Sequence, residues 1–82
     1  MAGRVLLRPY DGSMNHQQLT RKLRRLGYEF YRQAAGSHEI WRHPVTERRT
    51  TIPNHGPKDI PKGTLAKILR DLGLNLEDLR KA

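Results

Sequence analysis

Eighty-two residues, 35% of them hydrophobic, make one small domain whose thin apolar core is too little to enclose a large cofactor. Sixteen Lys and Arg against eight Asp and Glu leave a formal charge of +8, which favours polyanionic partners, nucleic acid before acidic protein surfaces, although a merely soluble basic surface has the same balance. The absence of cysteine excludes disulfides, thiolate zinc sites and cysteine nucleophiles, and no run of about 18 apolar residues is present to span a membrane.

Residues 1–13, MAGRVLLRPYDGS, show no sustained period and precede a second methionine, Met14. They read as a leader or tag-like extension, expected to be at least partly disordered, with the domain itself at residues 14–82. V-L-L is too short for the apolar core of a signal peptide, so a cytoplasmic location is expected. Asn15 is a candidate N-cap, and Leu19, Leu23 and Leu26 recur at i, i+4, i+7, which predicts a helix closed by Gly27. Arg21, Lys22, Arg24 and Arg25 lie off that stripe, either as solvated cations suited to a helix C-terminus or as a phosphate-contacting face.

Y-E-F-Y-R-Q-A, S-H-E-I-W-R-H and R-R-T-T-I-P-N are rich in aromatic and β-branched residues, and short links separate them. They predict three antiparallel strands. After the breaker-rich loop N-H-G-P-K-D-I, Pro61 suits a first helical position, and Leu65, Ile68, Leu69 and Leu72 form an amphipathic stripe ended by Gly73. Asn75 caps a last short helix carrying Leu76 and Leu79. The order α-β-β-β-α-α predicts an α+β, two-layer domain: a three-stranded antiparallel sheet with helices on one face and the other face open.

Nucleotide cradles of the G-x-x-x-x-G-K-[ST] or G-x-G-x-x-G type are missing, as is H-E-x-x-H. The acids are scattered, without the pairing of a two-metal nuclease, so no metal site and no cofactor are expected. Acid–base chemistry on an anionic substrate is left. Histidine exchanges protons near neutrality, and RNA carries its own nucleophile, the 2′-OH, beside each phosphate. Such a site needs a base, cations to balance the phosphorane and an acid for the leaving oxygen. His38 fits the base; Arg32, Arg42, Lys58 or Lys62 fit the cations; His55 or water fits the acid. Each has a plainer reading. His38 and His43 suit surface positions of a strand, His55 suits loop orientation, and Trp41 suits core packing as well as base stacking. Ser37 next to His38 lacks an evident acidic third member for a serine-hydrolase triad. Alternation sets His38, Ile40 and Arg42 on one side of their strand and Trp41 on the other, without saying which side meets the helices.

Four segments together resemble the HicA toxins of bacterial HicAB toxin–antitoxin systems: L-G-Y (Leu26–Tyr28), G-S-H-E-I-W-R-H-P (Gly36–Pro44), T-I-P-N-H-G-P-K-D-I-P-K-G-T-L (Thr51–Leu65) and I-L-R-D-L-G-L (Ile68–Leu74). The resemblance runs from about Met14 to Leu79 and leaves residues 1–13 without a counterpart. It implies a double-stranded-RNA-binding-domain-like fold and ribosome-independent cleavage of mRNA, inhibited by a HicB-type antitoxin. Together with the missing metal motifs, the expectation is a metal-independent endoribonuclease that blocks translation. It also implies that the catalytic histidine of G-S-H is His38, that the family's loop histidine is matched by His55, and that Lys62 and Gly63 open the second helix. His55 and Ser37 are expected as possible auxiliaries. Arg21, Lys22, Arg24, Arg25, Arg32, Arg42, Lys58 and Lys62 are the expected RNA contacts. A non-catalytic RNA-binding module of the same fold is the alternative, and an adaptor docking an acidic protein is a third.

Overall fold

The computed structural model describes residues 12–82. Helix α1 (His16–Arg25) opens with a capping box: Gln18 N donates to Asn15 Oδ1 and Asn15 N donates to Gln18 Oε1, both at 2.9 Å. It ends where Gly27 takes a φ of +96°, a left-handed conformation that costs any residue bearing a Cβ. A Cβ there would also lie 2.7 Å from His43 Nε2.

Strands β1 (Glu29–Gln33), β2 (His38–Arg42) and β3 (Arg49–Pro53) form an antiparallel sheet in the order β1-β2-β3. Helix α2 (Lys62–Leu72) follows Pro61, and α3 (Leu76–Lys81) has a second capping box between Asn75 and Asp78. The predicted α+β order is the observed one.

Trp41 is 1% exposed and sits with Leu19, Leu23, Ile52, Ile68, Leu72 and Leu79 in one core cluster. Each such side chain contributes about 1.5–3 kcal/mol relative to exposure. Thr50 and Ile52 are buried on β3 beside Trp41, so this is the face the helices cover. Polar links reinforce it. Thr50 Oγ1 donates to Asp71 Oδ2 at 2.8 Å, and the buried Tyr28 hydroxyl donates to the Leu72 carbonyl at 3.1 Å. Burial raises the Tyr28 pKa, keeping that hydroxyl a neutral donor.

Residues 1–11 of the expected leader lie outside the described residues. Gly12 is buried, with the Leu76 side chain where its Cβ would be, and the Met14 carbonyl accepts from Ile60 N at 2.9 Å. Among the described residues, no helix is long and apolar enough to cross a membrane.

Candidate functional site

Burial of Trp41 settles the side left open by the sequence: His38, Ile40 and Arg42 project from the uncovered face of the sheet. Trp41 is core, not a stacking platform. The turn before β2 is made by Gly36, with φ +61°, and the backbone of His38 is held on three sides. Its N–H donates to the Ala35 carbonyl at 3.1 Å, and its carbonyl accepts from Ala34 N and Gln33 Nε2, each at 2.8 Å. The residue itself stays exposed. The pinned backbone fixes the point at which the side chain leaves the sheet, and the exposed imidazole stays open to solvent.

Pro53 is the register partner of His38, so the chain leaves β3 beside it and the loop bearing His55 and Lys58 starts at the same end of the sheet. Asn54 ties this corner together. Its N–H donates to the Ser37 carbonyl at 3.0 Å, its Nδ2 donates to Glu39 Oε2 at 3.2 Å, and its Oδ1 accepts from Gly56 N at 3.2 Å. The residues before and after His38 and the residue after His55 therefore share one clamp.

Glu39 lies across the sheet from His38, towards the helices. Its Oε1 accepts from Trp41 Nε1 at 2.9 Å and from His16 Nε2 at 2.6 Å, and the two side chains of the His16–Glu39 pair are only 15% and 14% exposed. Burial alone would raise the Glu39 carboxyl pKa. The hydrogen bonds from Trp41, His16 and Asn54, with the charge of His16, outweigh burial and hold it below the usual carboxylate range. An ionised carboxylate only accepts, so the proton of this bond resides on His16 Nε2. Sequence reasoning missed this cluster, because nothing in the pattern joins residues 23 apart.

The predicted RNA-contacting residues fall into separate groups. Arg32 and Arg42 lie on the open face, because Arg32 is the register partner of Ile40. Lys58 lies in the His55 loop, and Lys62 opens α2. Arg21, Lys22 and Arg25 line a cleft of about 300 Å³ with Ser13, Met14 and Gln18 in the helical layer, and Arg24 sits with its guanidinium 5.0 Å from the Trp41 ring centroid. No single flat footprint joins all eight. His43 serves the fold instead. Its Nδ1 accepts from Val45 N and Thr46 N at 3.1 and 3.3 Å, and its ring meets Tyr28 edge-on at 5.0 Å. Among the described residues, no three His, Asp or Glu side chains gather as metal ligands.

This α+β domain, with a basic open sheet face and a histidine held at the start of the central strand, matches the family model of the HicA toxin of bacterial toxin–antitoxin systems over residues 17–74. That span is most of the chain and takes in α1 from its second residue, all three strands and α2. The chain belongs to the HicA toxin family. A search of curated proteins gave no match.

Proposed function

We propose that the chain is the toxin of a toxin–antitoxin pair and acts as an endoribonuclease on mRNA, with His38 as general base. The observation carrying this reading is the exposed His38 side chain on a backbone pinned by Ala34, Ala35 and Gln33, on a sheet face lined with arginine. The His38 imidazole takes the proton of a 2′-OH, and the freed oxygen attacks the adjacent phosphorus. Charge developing on the phosphorane is balanced by arginine and lysine cations, of which Arg32 is paired with Ile40, two residues along β2 from His38. The departing 5′ oxygen takes a proton from His55 or water. The products are a 2′,3′-cyclic phosphate and a 5′-hydroxyl. DNA lacks the 2′-OH and would be bound but not cut.

A free ribonuclease endangers its host, so a HicB-type antitoxin is the second component of this reading. It inhibits by covering His38 and part of the basic face. Hydrogen exchange on the complex should show added protection in the loops beside His38, residues 34–37 and 54–58, and unchanged exchange there would contradict steric inhibition. The function is tested by inducing the chain and its His38→Ala variant in bacteria while following growth and mRNA integrity. Growth arrest with mRNA loss from the parent alone supports the proposal. Equal arrest from both removes His38 from the mechanism, and no mRNA loss from either favours the non-catalytic binding module.

A further inference from the structure

The open face contains a feature that strand alternation does not generate. Phe30 pairs with Trp41 and Arg32 pairs with Ile40, so one residue of β1, Tyr31, has no partner in β2. This is a β-bulge, and its effect is to turn two successive side chains, Tyr31 and Arg32, to the same side of the sheet. Phe30 meets Trp41 edge-on at 6.1 Å and belongs to the covered side. Tyr31 is 40% exposed and lies among arginines of the other two strands. The Arg42 guanidinium is 4.2 Å from its ring centroid and that of Arg49 is 5.5 Å away. Glu29 is the carboxylate beside them, 3.6 Å from Arg42 Nε.

We propose that Tyr31, with Arg42, Arg49 and Arg32 around it, is a platform that holds unpaired RNA across the sheet, so that the substrate at His38 is single-stranded. This rests on the RNA-cleaving reading and adds the form of the substrate. Three arginines against one glutamate make the face complementary to a polyanion, and phosphates are met by the guanidinium edges. The aromatic ring and the guanidinium groups close to it offer flat surfaces on which any base can lie. A duplex hides its base faces and would gain only the phosphate contacts. At about 3.3 Å per residue, Arg42 lies roughly 13 Å along β2 from His38. A strand seated on Tyr31 therefore reaches the histidine within a few nucleotides. Bulges re-aim side chains beside functional sites, and this one presents an aromatic ring where regular pairing would present only cations.

The test uses a fluorescent 2′-O-methyl RNA, which lacks the nucleophile and cannot be cut through it, as a single strand and as a duplex with its complement. Binding by the parent, Tyr31→Ala and Tyr31→Phe is measured at fixed salt, with melting curves confirming that each variant is folded. The parent should bind the single strand more tightly. Tyr31→Ala should weaken single-strand binding about tenfold, leave duplex binding within twofold, and be rescued by Tyr31→Phe. Preference for the duplex, or equal single-strand binding by parent and Tyr31→Ala, overturns the platform. If the parent still cuts RNA in either case, the ribonuclease reading survives it. Loss confined to binding of an acidic protein partner would assign the face to that partner and likewise overturn the proposal. If the parent neither binds nor cuts RNA, both readings fall.

Discussion

Replacing Glu39 by Gln tests whether the buried carboxylate between His16, Trp41 and Asn54 organises the corner that presents His38. The glutamine keeps the shape and one acceptor oxygen. With that oxygen in the place of Oε1, the bonds from Trp41 Nε1 and His16 Nε2 survive as neutral ones. The new NH2 then faces Asn54 Nδ2, donor against donor, where the distance is now 3.2 Å. Hydrogen bonds to a charged group contribute about 1.5–3 kcal/mol and neutral ones about 0.5–1.5, so the two retained bonds lose about 1 kcal/mol each. The Asn54 bond is solvent-exposed, so water replaces it and its loss adds no more than about 1 kcal/mol. The expected destabilisation is about 2–3 kcal/mol, or roughly 10–20 °C in Tm for a domain of this size. Urea denaturation at pH 7, followed by circular dichroism, reads this directly. The pH dependence carries a second signature. The folded pKa of Glu39 is depressed below its ordinary value of 4.5. Its contribution is therefore complete above that value and is lost as pH falls through the lower folded value. The parent should lose stability below about pH 4.5 more steeply than Glu39→Gln. Asp71, also depressed by its bonds from Lys67 and Thr50, is common to both proteins. A variant within 0.5 kcal/mol of the parent at pH 7, with an unchanged acid slope, would refute the reasoning.

Asn54→Ala should release the loop bearing His55, because the Gly56 amide loses its acceptor. Amide exchange at Gly56 should accelerate at least tenfold while α2 amides keep their protection, and an unchanged Gly56 rate would contradict the clamp. Gly27→Ala combines a left-handed backbone with a Cβ that meets the His43 ring, so it should cost about 2 kcal/mol in urea denaturation; a loss under 0.5 kcal/mol would show that the turn relaxes freely.

The elements were legible because their signals are local. Asn15 and Asn75 cap helices through their own neighbours, Leu19 and Leu23 or Leu65 through Leu72 repeat with the helical period, and Gly27 and Gly73 stop the helices by left-handed backbone. The side of the sheet bearing His38 was not legible, since alternation gives relative faces and only packing of Trp41 under the helices makes one of them the inside. Tyr31 escaped for a sharper reason. Period-two reading sends residues 31 and 32 to opposite faces, and the bulge that unites them is a property of pairing with β2, not of the β1 sequence. The His16–Glu39 pair and the Asn54 clamp depend on contacts 23 and 15 residues apart, which no spacing rule encodes. His38 was picked out by chemistry and motif, and the fold adds its exposure and its fixed backbone.

The most direct test of the central claim is cleavage of an end-labelled single-stranded RNA in EDTA near pH 7.5 by the purified chain and by its His38→Ala variant, with the product ends identified. The account predicts cleavage by the parent to 2′,3′-cyclic phosphate and 5′-hydroxyl ends, and a rate at least a hundredfold lower for a variant that melts like the parent. Cleavage at the same rate by both proteins, or products carrying a 5′-phosphate, would contradict it.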